Sequence, residues 1–513
     1  MPNNNESFLN RLLRVPYLLG TIRLICMIVL FIMVYFSYNY HDINGIAVAE
    51  PLMYTNIATF LFWVFWIMAI VISVIFFGRM WCTICPLGWL NGILSMNFFK
   101  KEYPRALKNN TLLIIFTFLV LFGSMAYNIH RFPDLTARLI IFFIALVVVM
   151  GVLFKKRVFC RYLCPIGGML GLYSKVGPVE LFVKDKGVCE KCTSKQCVNG
   201  ENKWYKVSFK KFVMLYNKNK DGCPVDLVPN DLKDKSACDL CMNCFYVCPH
   251  KNLNLRYRAN MDDLKVSEPN TSYAIFTVVL MGLISVNFFK VYPKLKTVLY
   301  QPADYMLSNI ITLSKPFAEL FLALYSSVAL PLVFVLIVSY IALIFMRTRV
   351  TGLDIGDEGS IDSELRSVKK DGASPKNIKF KTVFTKSAYA FIPLVLSAHI
   401  VLALVKLNTK FNYFSYIFLD PTGVKSYLSF NVFKNYEQPG VVLPISQLKW
   451  IILATIIVGL IFSIMAAKKI MISETNDGKQ IGKGSFAVLT IALLIVAALY
   501  VSTVYNWLFI MGR

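Results

Sequence analysis

Cysteine is the residue type in this 513-residue chain best placed to do chemistry, and twelve of its 13 cysteines fall into spaced groups. Cys238-x2-Cys241-x2-Cys244-x3-Cys248-Pro249 has the spacing that wraps a cubane [4Fe–4S] cluster. Three closely spaced thiolates cap one cluster, and the fourth, before proline, reaches across to a second. The expected mate is Cys189-x2-Cys192-x4-Cys197, followed after 25 residues by Cys223-Pro224. Crossing the fourth ligands over assigns Cys189, Cys192, Cys197 and Cys248 to one cluster. It assigns Cys238, Cys241, Cys244 and Cys223 to the other, and no cysteine from 189 to 248 is left over. Zinc is a poorer fit, because its sites pair two CxxC knuckles across longer spacers and have no role for a third cysteine three residues on.

Two further pairs stand apart from this run: Cys82-Thr-Ile-Cys85-Pro86 and Cys160-x3-Cys164-Pro165. Proline suits the first turn of a helix, so each pair sits where a helix is predicted to begin. A helix N-terminus makes a thiolate more available. The surrounding stretches, 76–97 and 154–175, repeat one another. Each has a basic residue, an aromatic directly before the first cysteine, a second cysteine, then proline, an aliphatic residue and glycine. Four sulfurs from two repeats suit a third iron–sulfur centre or a single metal ion, with a redox dithiol or structural thiols as alternatives. Cys26, alone within the first apolar run, reads as inert.

Only four histidines occur, and no CxxCH, so covalently attached c-type haem is excluded. His399 lies inside an apolar run, where a polar side chain marks a site or a hydrogen bond to a neighbouring helix. His41 and His130 fall at the outer ends of two runs, close to Asp42, Arg131 and Asp134. These three histidines are the quinone or haem candidates, with a wet loop histidine as the plain alternative for His41 and His130. His250 reads as a surface residue. No GxxxxGK[ST] occurs, and no GxGxxG follows a strand, so nucleotide-driven chemistry is unsupported.

The elements that position these residues are membrane helices. The chain is 57% hydrophobic and 16% charged, against about a quarter charged in soluble domains. Apolar runs near twenty residues match a bilayer core of ~30 Å at ~1.5 Å per residue. Spans are predicted at about 17–38, 55–77, 111–128, 138–154, 271–289, 318–346, 384–406, 448–466 and 485–510, with an interfacial helix at 301–317. The net charge of +25 suggests basic cytoplasmic loops rather than nucleic acid. Loop 347–386 carries nine Lys or Arg against three in 407–447. These asymmetries place the N-terminus and the cysteine-rich segment in the cytoplasm and the C-terminus outside, in the inner (cytoplasmic) membrane. The lysines of the 198–222 insertion either offset the anionic clusters, touch lipid headgroups or offer a docking surface to an acidic partner.

With two membrane-edge Cys-Pro motifs ahead of a double-cubane segment, residues 1–265 resemble the NapH/NosR family of polyferredoxin-type membrane proteins. FCRYLCPIGG at 159–168 matches the second motif of that family. WCTICPLG at 81–88 matches the first, with two residues between the cysteines where the family has three. The resemblance leaves the helices after 270 unassigned and brings no flavin domain. DGAS at 371–374 is part of a covalent-flavin signature only, and flavin is not supported.

The expected fold is mainly α, a polytopic bundle of about nine spans with an inserted small α+β, bacterial-ferredoxin-like 2[4Fe–4S] domain on the cytoplasmic side. The expected divisions are a four-span unit (1–174), the ferredoxin-like domain (175–265) and a C-terminal membrane unit (266–513). The expected function is electron transfer between a quinol or cytoplasmic donor and a membrane or extracytoplasmic acceptor. That makes the chain an oxidoreductase subunit, in one version a quinol dehydrogenase, with lipid, quinone and redox proteins of a complex as partners. The alternatives are a copper reductase similar to the CcoG type and a redox-sensing assembly factor.

Overall fold

Long runs without charge fold as helices, because each peptide group hydrogen-bonds within its own segment and leaves an apolar exterior. Among the described residues of the computed structural model, eight helices are long and apolar enough to cross a membrane. They are Leu18–Tyr38, Ile57–Phe77, Pro133–Leu153, Thr271–Lys290, Lys315–Met346, Phe380–Tyr413, Ile445–Met471 and Lys483–Leu508. The described residues are 8–13, 15, 17–38, 52–97, 101–209, 212–220, 222–225, 227–232, 238–258, 261, 264, 270–310, 313–351, 379–474 and 480–510. His41 and the 371–374 motif lie outside them, as does most of the basic 347–386 loop.

Nine spans were expected, and the difference lies at 111–128. That stretch forms Thr111–Ala126, 16 residues long, and its apolar part ends at Ser124. At ~1.5 Å per residue it reaches about 24 Å, short of the ~30 Å core. A turn over 127–131, with Asn128 in the left-handed region (φ 49°), stops it. The helix expected at 301–317 instead runs over Pro293–Asn309, and a separate helix starts at Lys315. Proline stands in the first turn of each, at Pro293 and Pro316, and fixes these starts.

The chain divides into two compact units, residues 1–263 with 412–439, and residues 264–411 with 440–513. The polar segment therefore belongs to the same unit as the N-terminal helices rather than standing alone. In the first unit we number α1 Leu18–Tyr38, α2 Ile57–Phe77, α3 Trp81–Ile84, α4 Pro86–Asn97, α5 Thr111–Ala126, α6 Pro133–Leu153, α7 Val158–Tyr162 and α8 Pro165–Tyr173. Asn56 ties its outer elements together. Its carboxamide oxygen caps α2 by accepting from Ala58 N–H (2.9 Å), and its Nδ2 donates to the carbonyls of Phe36 (3.3 Å) and Thr422 (3.0 Å).

The polar segment carries strands β1 Val179–Val183, β2 Glu201–Phe209, β3 Phe212–Lys220 and β4 Leu253–Tyr257. β1 and β4 pair antiparallel with Leu181 opposite Leu255, and β2 and β3 form the hairpin of the insertion. Alternate residues Val179, Leu181, Leu253 and Leu255 face one core with Leu240, Met242 and Phe245. On the other face, buried Glu180 accepts from Arg256 (2.6 Å) and pairs with Arg258 (3.5 Å).

In the second unit, Thr271–Lys290 and Phe380–Tyr413 are the central helices, each 78% buried over its most apolar window. Small residues bring the helices close there. A Cβ on Gly459 would lie 2.1 Å from Ser397 Oγ, and Ser463 Oγ accepts from Leu394 N–H (2.9 Å).

Candidate metal centre

Each Cys-Pro hairpin is built as a helix start whose free N–H groups point at sulfur. Cys164 is the N-cap of α8, and its Sγ accepts from Gly167 N–H at 3.3 Å. The N–H groups of Leu87 and Gly88 turn to the sulfur of Cys85 in the same way. Glycine at 88 and 167 keeps the approach open. A Cβ on Gly88 would stand 3.4 Å from Cys160 Sγ, so the two hairpins touch across this point. Burial pushes the Cys82 thiol up to about 11 and the Cys164 thiol up to about 12. Cys85 and Cys82 add further upward pressure on Cys164, and Cys164 and Cys85 do the same to Cys160. Cys82, Cys85, Cys160 and Cys164 thus form one group, and Cys26 on α1 is an electrostatic neighbour of Cys85.

The other eight cysteines lie in the polar segment, where each has other cysteines among its electrostatic neighbours. Burial, then the adjacent thiols Cys248, Cys189 and Cys192, raise Cys197 to about 11. Burial, then Asp239 and Cys223 among its neighbours, raise Cys238 to about 12. Cys244 rises well above the usual thiol range through burial and then Cys241, Cys238, Cys223 and Cys197. That last neighbour joins the two groups, as does the Cys223 N–H donated to Cys197 O at 2.7 Å. Leu240 and Met242 adopt left-handed backbone (φ 48° and 68°), and the N–H groups of Leu240 and Asn243 turn toward Cys238 and Cys241. Asn252 serves the first group: its Nδ2 donates to Cys189 Sγ (3.3 Å) and its N–H to Cys248 Sγ (3.4 Å).

Soft thiol donors in sets of four, met by backbone N–H groups, are the donor chemistry of iron–sulfur clusters. Among the described residues no three His, Cys, Asp or Glu side chains stand close enough to hold a single metal ion.

The sequence reading missed what joins the hairpins to the polar segment. Arg79, Arg157 and Asp239 are each 3–4% exposed. Arg157 Nη1 lies 3.6 Å from Asp239 Oδ2, and Arg79 Nη1 donates to Cys238 O at 3.3 Å. Arg23 on α1 donates to Thr83 O (2.8 Å) and Cys241 O (3.1 Å), and Thr83 Oγ1 donates to Leu240 O (2.6 Å). Burial opposes the charge on Arg157, but Cys241, Asp239, Cys160 and Cys85 outweigh it and hold the guanidinium more firmly protonated than usual. The signal was present for two of these residues, since Arg79 and Arg157 occupy the same Arg-x-x-Cys position of the repeat. Asp239 and Arg23 carried none.

His130 lies edge-on to Trp63 (ring centroids 6.3 Å apart), whose Nε1 donates to Thr136 Oγ1 at 3.1 Å. Asp134 pairs with Arg138 at 3.5 Å. His399 is in the second unit, within Ile392–Lys410, and His250 is exposed.

A family model described as a 4Fe-4S binding domain matches residues 59–105 and 135–188. Both Cys-Pro hairpins fall inside the match, which stops one residue before Cys189. An uncharacterised protein of Methanocaldococcus jannaschii is 27% identical over 188 residues, 36% of this chain. The chain spans 65% of that relative's length, just under two thirds. No solved structure matches. The family match supports at least one [4Fe–4S] cluster. Together with the eight apolar helices it defines an iron–sulfur membrane protein of electron transport.

Proposed function

We propose that this chain is a membrane-bound electron relay with three [4Fe–4S] sites in line. Cys189, Cys192, Cys197 and Cys248 would hold the first, and Cys238, Cys241, Cys244 and Cys223 the second. Cys82, Cys85, Cys160 and Cys164 would hold the third. Clusters at these positions would supply one-electron transfer at potentials tuned by charge, hydrogen bonds and exposure. The observation that carries this reading is the seating of the 238–241 loop on the first hairpin by Arg23, Arg79 and Thr83, closed by the buried Arg157–Asp239 pair. It supports a second site close to the third, and the nearness of Cys197 to Cys244 supports a first site close to the second. The protein supplies the thiols, excludes water and places two buried cations where negative charge accumulates.

The resemblance to the NapH/NosR family supports a direction from a quinol or cytoplasmic donor to a membrane or extracytoplasmic acceptor, within a complex. The positive-inside asymmetry supports an inner-membrane location with the polar segment in the cytoplasm. Although α5 is shorter than the bilayer core, the direction of the chain supports it as a ninth crossing. It begins beside the second hairpin, where a Cβ on Gly168 would lie 2.6 Å from Leu113 Cδ2, and ends at the turn leading to Pro133, the far end of α6. Since α2 and α6 both run toward the hairpins, α5 is the segment that returns the chain between them. Reduction of the purified protein followed by EPR tests the relay. Cys160→Ser should leave the ferredoxin-like clusters reducible from the cytoplasmic side and halt electron delivery to a quinone acceptor. Undiminished delivery would refute it.

A further inference from the structure

The two Cys-Pro hairpins differ at the aromatic residue before the first cysteine, which is Trp81 in one and Phe159 in the other. Phe159 brings no donor. It is buried and meets Phe143 edge-on, with ring centroids 6.4 Å apart. Trp81 brings an indole N–H, a group that donates and cannot accept. Its Nε1 is shielded from solvent, yet nothing among the described residues accepts from it. Trp63 on α2 shows the ordinary arrangement, its indole N–H donated to Thr136 Oγ1 at 3.1 Å. A buried donor without an acceptor gives up its hydration and gains nothing in return, so such a group marks strain or a functional partner.

Trp81 is held in place before any partner arrives. Its ring packs on Trp66 of α2 (centroids 6.2 Å apart, 54° between planes), and Trp66 packs on Phe62 (5.1 Å). The short helix α3 that carries it is fixed by Arg23, which donates to Thr83 O (2.8 Å), and by Thr83 Oγ1, which donates to Leu240 O (2.6 Å). Residues four apart share one face of a helix, with Cβ atoms about 5–6 Å from one another. Two residues separate the cysteines of the first hairpin, so Cys85 follows Trp81 by four and shares its face. Three separate those of the second, so Cys164 follows Phe159 by five and does not. Cys85 is also where the hairpins meet. A Cβ on Gly88 would lie 4.0 Å from Cys85 Cβ and 3.4 Å from Cys160 Sγ.

We propose that the Trp81 indole N–H is a hydrogen-bond donor to anionic sulfur of the centre held by Cys82, Cys85, Cys160 and Cys164. The acceptor is the Cys85 thiolate or an inorganic sulfide beside it. Because Nε1 is shielded, a ligand arriving from the bilayer does not reach the donor, whereas sulfur at the hairpins does. A hydrogen bond to cluster sulfur stabilises the reduced, more negative state and raises the potential. Trp81 therefore makes this centre easier to reduce than its ligands alone would. The inference rests on the third site of the relay reading and gives that site a donor from outside its ligand set.

The test uses the full-length, cluster-loaded protein grown with tryptophan carrying ¹⁵N at the indole nitrogen. Pulsed EPR of the reduced protein reads ¹⁵N coupled to a cluster spin, and the iron content of the same sample reads the third centre itself. Wild type should show an indole ¹⁵N coupling. Trp81→Phe keeps a ring and removes the donor, so it should lose the coupling at unchanged iron content. At the wild-type midpoint its ratio of reduced to oxidised third centre should fall about threefold or more. Trp63→Phe and Trp66→Phe should retain the coupling, which assigns it to Trp81 by a second route. About 12 iron per chain with no indole coupling, or with a coupling that survives Trp81→Phe, overturns the proposal and leaves the relay intact. About 8 iron with no coupling overturns both.

Discussion

Replacing Arg157 by methionine tests whether the junction between the hairpins and the polar segment is a buried electrostatic clamp. Arg157 and Asp239 side chains are 4% and 5% exposed and 3.6 Å apart. At an effective dielectric near 20, Coulomb attraction at that distance is about 5 kcal/mol. Removing one partner of such a pair typically costs ~3–5 kcal/mol, because the other charge is left buried alone. Arg157→Met should therefore lower the unfolding free energy by about that amount, read in detergent from tryptophan fluorescence and visible iron–sulfur absorption together. Arg157→Met combined with Asp239→Leu should recover at least about half of the loss, since an apolar replacement of a whole buried pair is near neutral. Two results would refute the reasoning. One is a single-variant loss below about 1 kcal/mol, the value of a surface pair. The other is a double variant whose loss is the plain sum of the two single losses, which would mean the side chains are not coupled.

Three further outcomes are expected. Gly423→Ala should destabilise the first unit by at least about 2 kcal/mol, since its φ is +77° and a Cβ would lie 2.4 Å from Asn56 N, while Gly440→Ala, with open space around it, should stay within about 0.5 kcal/mol; denaturant midpoints decide this. Asn252→Leu removes a 3.3 Å hydrogen bond to Cys189 Sγ and should lower the potential of the cluster there by about 20–60 mV, the redox equivalent of one hydrogen bond, as read by EPR-monitored titration. Cluster-free protein should lose stability on the alkaline side. Its Cys82, Cys164 and Cys238 thiols, ordinarily near 9.0, are raised to about 11–12 in the fold, so the folded state holds protons that the unfolded state releases. That stability is fully present below about pH 9 and is lost as pH climbs toward 11–12. Cluster-loaded protein, its sulfurs already deprotonated, should lack this fall, and equal alkaline curves for the two forms would count against the thiol burial.

The sequence carried the parts of this account that are local. Cysteine spacings and Cys-Pro pairs report short-range geometry, and the helix starts at Pro86 and Pro165 stand in the structure. The joining contacts are tertiary and left no periodic mark. Arg23 reaches Cys241 across 218 positions, and Asn56 reaches Thr422 across 366. Asp239 looks like any loop aspartate until Arg157 is placed beside it. The length of α5 was misjudged because hydropathy continues to about 128 while the backbone turns at 127. Among the described residues, His130 packs on Trp63 in the first unit and His399 lies in the second.

The most direct measurement of the three-site relay is iron and acid-labile sulfide per chain, with EPR of the reduced protein, for the wild type and Cys160→Ser. Three cubanes predict about 12 iron and as much sulfide in the wild type, and about 8 in Cys160→Ser with two interacting cluster signals retained. A wild-type value near 8, unchanged by Cys160→Ser, would remove the centre at the Cys-Pro hairpins and contradict the relay.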